Sequence, residues 1–192
     1  MKTFAAALAL LALTGCISVS KVERGDRVVG DRLALSLSGA WNRITEPGSG
    51  PAQTWTMEGL PIDQLLIFSG LKDGEAIHAA PGLFERDRKT FSFRWGMQAD
   101  EIAALFEGWL TRDGSSYKLL KLEPSSFVGT KGFRFEYALT RRIDNVQLSG
   151  LGYGAVSKGE LFALVYMAPR LAFFARHAPT VEQIARTARV KE

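Results

Sequence analysis

Leu33, Leu35 and Leu37 alternate with Ala34, Ser36 and Ser38. That period of two marks a half-buried strand. Residues 54–57 and 64–68 read as further strands around Gly59-Leu60-Pro61, and Lys72-Asp73-Gly74-Glu75 supplies an Asp-Gly turn. In residues 90–95, Phe91, Phe93 and Trp95 alternate with Ser92 and Arg94, which predicts another strand. The period then changes. Ile102, Leu105, Phe106, Trp109 and Leu110 fall on one stripe of a helix over residues 100–111, with Asp100 and Glu101 suited to its N-terminus and Asp113-Gly114 stopping it. Four strands follow, at residues 125–128, 132–142, 146–156 and 161–167; the last is almost wholly apolar and is expected at the sheet centre. A short helix is predicted at 170–177. A second opens at Pro179, with Thr180 and Gln183 as a capping box and Val181, Ile184, Ala185 and Ala188 as its inner face.

Strands joined by short turns and interspersed with helices predict an α+β fold, a mostly antiparallel sheet packed by helices. Residues 125–167 leave no room for the helical crossovers of a parallel sheet. Ahead of this domain, which is expected to span residues 33–192, the stretch 16–32 is polar and mixed in charge. It reads as a short tether with a possible strand at Val28-Val29. As a flexible coil it would reach roughly 20–25 Å.

The first fifteen residues have a different pattern. Lys2 precedes an unbroken apolar run from Phe4 to Leu13, and small residues follow. This is the layout of a cleaved secretion signal over residues 1–15, and the run is shorter than the about 20 residues that cross a bilayer. Leu13-Thr14-Gly15-Cys16 resembles a bacterial lipobox in all four positions. The resemblance implies a diacylglycerol on the Cys16 thiol, cleavage before Cys16, and usually a third acyl chain on its amine. The membrane would then be a partner through the lipid anchor. Ile17, rather than Asp, at the second mature position points to the outer membrane of a Gram-negative bacterium. Two or three acyl chains hold a protein on a bilayer in a way one chain does not.

Three stretches support a second resemblance: Trp41-Asn42-Arg43 after the first strand, Phe93-Arg94-Trp95-Gly96-Met97 before the amphipathic helix, and Leu164-Val165-Tyr166-Met167-Ala168-Pro169 before the terminal helix. Together they look like the PsbP/Mog1-like α/β/α sandwich and the uncharacterised proteobacterial lipoproteins that share it, over about residues 33–190. That resemblance implies a binding or assembly role and no single chemistry.

Composition narrows the partners. The formal net charge is +4, or +3 once Lys2 is removed with the signal. This mild excess allows attraction to anionic surfaces and is no nucleic-acid footprint. The single Cys is assigned to the anchor, and His78 and His177 have no ligand-spaced neighbours, so no metal and no cofactor are expected. Gly150-Leu151-Gly152-Tyr153-Gly154-Ala155 fits the letters of a dinucleotide fingerprint. It leads into a strand where that motif needs a helix, so its glycines are read as permitting a bulge or close packing beneath bulky Trp or Phe side chains. Asp100, Glu101 and Glu107 read as helix-terminal and solvated carboxylates. The basic groups Arg86, Arg88, Lys89, then Arg141-Arg142, then Arg186, Arg189 and Lys191, could face lipid or lipopolysaccharide phosphates if they converged. The four tryptophans, Trp41, Trp55, Trp95 and Trp109, are expected mostly in the core, Trp95 by its alternation with Phe91 and Phe93 and Trp109 by its place on the helix stripe. Trp41 with Asn42 and Arg43 is the candidate contact surface.

The expected function is that of a lipid-anchored, non-enzymatic binding or assembly module for an envelope protein, glycan or lipid. Two alternatives make different demands. An envelope-modifying enzyme needs a cleft holding His78 or His177 with a nucleophile or a carboxylate pair within hydrogen-bond reach. A carrier of a small apolar ligand needs a cavity between sheet and helices.

Overall fold

The computed structural model describes residues 17–46, 50–78 and 91–191. The lipobox Leu13, Thr14, Gly15 and Cys16, and the basic group Arg86, Arg88 and Lys89, lie outside the described residues.

In chain order the elements are β1 (Ser18–Val22), β2 (Gly25–Val29), β3 (Leu33–Leu37), β4 (Trp41–Thr45), β5 (Gln53–Thr56), β6 (Gln64–Leu71), α1 (Ala99–Leu110), β7 (Ser116–Phe127), β8 (Thr130–Thr140), β9 (Gln147–Ser157), β10 (Glu160–Pro169), α2 (Phe173–Thr187) and β11 (Arg189–Val190). Eight strands form one sheet in the order β1-β4-β5-β6-β10-β9-β8-β7, and three form a small sheet, β11-β3-β2. Neighbouring strands pair antiparallel throughout. The architecture is thus mostly antiparallel sheet with two helices.

Alternation along the central strands sorts the core into two clusters. Leu65, Ile67, Phe162, Leu164 and Tyr166 join one, with Val181 and Ile184 of α2 and Leu33, Leu35 and Leu37 of β3. Leu66, Phe68, Ala163, Val165 and Phe135 join the other, with Ile102, Leu105 and Phe106 of α1. Successive side chains of a strand point to opposite faces, so the clusters lie on the two faces of the large sheet. β10 is buried almost end to end, as its apolar sequence predicts.

The glycine-rich segment is a packing device, as read from its sequence. Phe133, Phe135 and Tyr137 of β8 sit directly across from Gly154, Gly152 and Gly150 of β9. A Cβ at any of the three glycines would run into the facing ring. The rings therefore lie flat over the neighbouring backbone and stack on α1 and β7. Phe106 stacks on Phe135 at 5.9 Å between centroids, and Tyr117 stacks on Tyr137 at 5.0 Å. The Tyr137 hydroxyl donates to the Tyr166 carbonyl at 3.2 Å, which satisfies a buried polar group.

Several expectations need correction. The polar stretch read as a tether holds two strands, the second of which, β2, contains the strand expected at Val28-Val29. β1 is registered on β4 over five residue pairs and β2 on β3 over five more. Both are edge strands, and solvated edges tolerate the polar composition that suggests a coil. The strand predicted at 125–128 begins at Ser116. Its alternation is broken by a register shift between Leu119 and Lys121, so a bulge hides the period. The alternating residues of 90–95 contribute only an isolated bridge between Ala76 and Ser92. Phe93 is buried there, but Trp95 is 68% exposed. The two C-terminal helices are one, with Pro179 inside α2. Proline removes a single N–H from the helix ladder, and the burial of His177, Val181, Ile184 and Ala185 carries α2 past that gap.

Candidate interaction surface

Four connections leave the large sheet at one end: residues 57–63, 111–115, 141–146 and 170–172. The register makes them neighbours. Gln64 at the start of β6 faces Met167, Pro169 at the end of β10 faces Leu148, and Gln147 and Ser116 both face Thr140.

Each connection is held by polar groups. The buried Asp63 carboxylate accepts from the Thr56 hydroxyl and from the Met57 and Glu58 amides, the latter two at 3.0 and 2.8 Å. The Thr56 hydroxyl in turn accepts from the Gly59 amide at 2.8 Å. This shapes the 57–63 turn and leaves Leu60 at its outside. Arg141 ties that turn to the next. Its guanidinium donates to the Pro61 carbonyl at 2.9 Å and grips both Asp144 oxygens, at 2.9 and 2.6 Å. Such a two-pronged grip fixes geometry as well as charge. Arg142 reaches the third connection by donating to the Asp113 carbonyl at 3.0 Å. Its own amide donates to the Ser115 hydroxyl at 3.1 Å. Glu58 ties the first turn to α2, accepting from His177 Nε2 at 2.7 Å and Arg176 at 3.3 Å.

The electrostatics follow the braces. The His177 hydrogen bond, helped by Arg176, holds the Glu58 carboxyl below its ordinary value. The Arg141 guanidinium does the same for Asp144. At Asp113 burial pushes the carboxyl up, and hydrogen bonds from Ser115 outweigh it, so the net shift is downward.

On this braced frame three large aliphatic side chains face water. Leu60 is 42% exposed, Ile143 87% and Leu171 79%. Arg142, Arg170 and Arg176 stand beside them in the same connections and at the start of α2. Two depressions share Leu148 between the tips. One of about 240 Å³ is lined by Leu60, Ile62, Arg141 and Met167, and one of about 280 Å³ by Tyr117, Thr140, Gln147 and Arg170. Neither is lined by α1 or α2, so neither is the apolar cavity between sheet and helices that a ligand carrier requires.

The residues singled out from sequence are placed differently. Trp41 is buried and packs on Trp55 with ring centroids 6.5 Å apart. Arg43 is exposed on β4 and donates to the Ser20 hydroxyl at 3.2 Å. Asn42 lies between them, half-buried, with its side chain on the other face. Trp41, Asn42 and Arg43 therefore do not form one contact surface. His78 has its ring edge against Phe91 at 6.0 Å. His177 has a carboxylate in reach, but neither it nor Glu58 lines the two depressions. Among the described residues no three His, Cys, Asp or Glu side chains gather as a metal site needs. No described helix is long and apolar enough to cross a membrane. The tips Leu60, Ile143 and Leu171 escape a sequence reading. Only Ile143 carries a signal, a lone aliphatic residue between charged ones in Arg142-Ile143-Asp144.

No protein-family model and no curated protein sequence matches the chain. In structure it is similar to cyanobacterial PsbP (CyanoP) from Synechocystis, known from its solution structure. The TM-score is 0.52 at 12% identity, over 93% of this chain and 95% of that one. At that identity the likeness speaks for the fold alone, which is PsbP-like.

Proposed function

We propose that this protein is a lipid-anchored module of the bacterial cell envelope, held on the outer membrane through Cys16, that binds or assembles a partner through the braced end of its sheet. The main support is the combination at that end. Leu60 and Ile143 are exposed on turns that Arg141 and Arg142 cross-tie, and Leu171 is exposed just ahead of α2, which Glu58 ties to the first of those turns. Exposed apolar groups gathered at one place mark interaction surfaces, and bracing lowers the entropy lost when such a surface docks. On this reading α1 and α2 cover opposite faces of the large sheet as the outer layers of a PsbP/Mog1-like α/β/α sandwich. The lipobox pattern at Leu13-Thr14-Gly15-Cys16 supports the anchor and the location.

Two measurements test this reading. Mass spectrometry of the mature N-terminus should find Cys16 acylated; a retained Met1 or a bare Cys16 ends the anchoring part. A photo-crosslinking residue placed at Ile143 or Leu171 should yield discrete adducts in cells, and the same residue at Lys131, exposed near the start of β8 at the other end of the sheet, should not. Adducts equally frequent at all three positions, or absent from the tips, would overturn the assignment of the surface.

A further inference from the structure

β1 begins at Ser18 and is registered on β4 from Ser18↔Thr45 to Val22↔Trp41. Only Ile17 separates Cys16 from this strand. A chain spans at most about 3.6 Å per residue, so the two steps from Ser18 to the lipid-bearing residue can reach no more than roughly 7 Å. A lipid on Cys16 would therefore hold the folded domain directly against the bilayer, without the slack of a coil.

The surface beside that attachment point is aliphatic. The pleat sends Val22 and its partner Trp41 into the cluster under α2, so Val19 and its partner Ile44 lie on the opposite face. Ile17 continues the Val19 row, and both are 63% exposed. α1 does not cover them, because its buried side chains meet strands nearer the sheet centre. Lys21, next in the row, is paired with Glu23 at 2.9 Å, so the patch is apolar rather than cationic in character.

We propose that this face of the β1–β4 edge rests on the bilayer that holds the Cys16 acyl chains, with Ile17, Val19 and Ile44 at the boundary between headgroups and acyl chains. The proposal rests on the lipidation of Cys16. The occupant follows from the one-residue link, which keeps the start of β1 beside the inserted anchor, and from the exposed aliphatic side chains there, which gain by leaving water. β1 runs in the same direction as β10, so it starts at the end of the sheet where β10 starts. The braced turns lie where β10 finishes and stay open to partners in the aqueous compartment.

The test uses the full processed protein in phosphatidylethanolamine/phosphatidylglycerol vesicles, with a nitroxide on Val19→Cys or, separately, on Ile143→Cys. At position 19 the label should lose collisions with a water-soluble nickel chelate and keep those with oxygen. At position 143 it should collide freely with the chelate. The acylation state of Cys16 is read from the same sample. An acylated protein whose label at 19 is as open to the chelate as that at 143 overturns this proposal alone. An unacylated Cys16 overturns the anchoring reading and this one with it.

Discussion

In the middle of the large sheet, Phe133, Phe135 and Tyr137 lie over Gly154, Gly152 and Gly150, and α1 closes over them through Phe106. At the end of the same strands, turns are held by Arg141, Arg142, Glu58 and Asp63, and aliphatic side chains point outward. Both regions are ordered, but by different physics. The centre relies on close packing, in which an added methyl has no free volume to enter. The braced end relies on directed polar contacts that fix turns without covering them. A packed centre supplies stability and offers no surface. A braced edge adds little stability and holds exposed groups in place.

The largest effect expected from breaking this contrast is at the centre. Gly152→Val should destabilise the protein by about 3 kcal/mol or more, because its side chain must displace the Phe135 ring. Gly96→Ala, where an added Cβ meets nothing within 4 Å, should stay within about 0.5 kcal/mol. Urea titration of both variants checks the pair, and equal losses would mean that the ring-over-glycine contact is not what limits stability.

Removing a brace should cost less than Gly152→Val. Arg141→Ala frees the Pro61 carbonyl and Asp144. Amide hydrogen exchange should quicken in residues 57–62 and 141–146 while β8 and β9 keep their protection. Faster exchange throughout the sheet would show that the two regions are one cooperative unit.

Acid should act on the braced end first. The Glu58 carboxyl is held below its ordinary value of 4.5 by His177 and Arg176. A carboxyl depressed in the folded state adds stability above its unfolded value, and that stability is lost as pH falls through the folded value. Melting temperature should therefore decline below about pH 4.5, and Glu58→Gln should decline less over the same range. Asp113 and Asp144 are depressed too and keep part of the acid slope in that variant. An unchanged slope would mean that the Glu58 brace contributes nothing.

The smallest effect on stability is expected at the tips. Ile143→Ser and Leu171→Ser should shift unfolding by no more than about 0.5 kcal/mol yet abolish adducts at the neighbouring tip. A large loss of stability would make these residues part of the packing.

The two regions also differ in how far the chain announces them. The spacing of Ile102, Leu105 and Phe106 foretells α1 to within a residue at each end, because one buried face must recur at helical period. The glycines at 150, 152 and 154 foretell bulky neighbours but not which ones. Trp95 reads the wrong way round. Hydrophobicity says that an indole prefers the interior, but Trp95 follows a single bridge rather than a paired strand and ends exposed. Apart from Val28-Val29, residues 17–32 look like a coil because edge strands bury little, and their pairing with β3 and β4 is a long-range choice that composition does not encode.

By itself, then, the sequence determined the α+β class, the antiparallel run of strands, the first helix and the close-packed glycine strand. Each of these depends on periodicity or on the volume of neighbouring residues. Only the tertiary structure decided that Glu58 would meet His177, that Arg141 would reach Pro61, and that Leu60, Ile143 and Leu171 would share one end of the sheet. Those contacts join residues up to 119 positions apart. They exist because the register of four strands brings their ends together, and register is settled by the packing of the whole sheet.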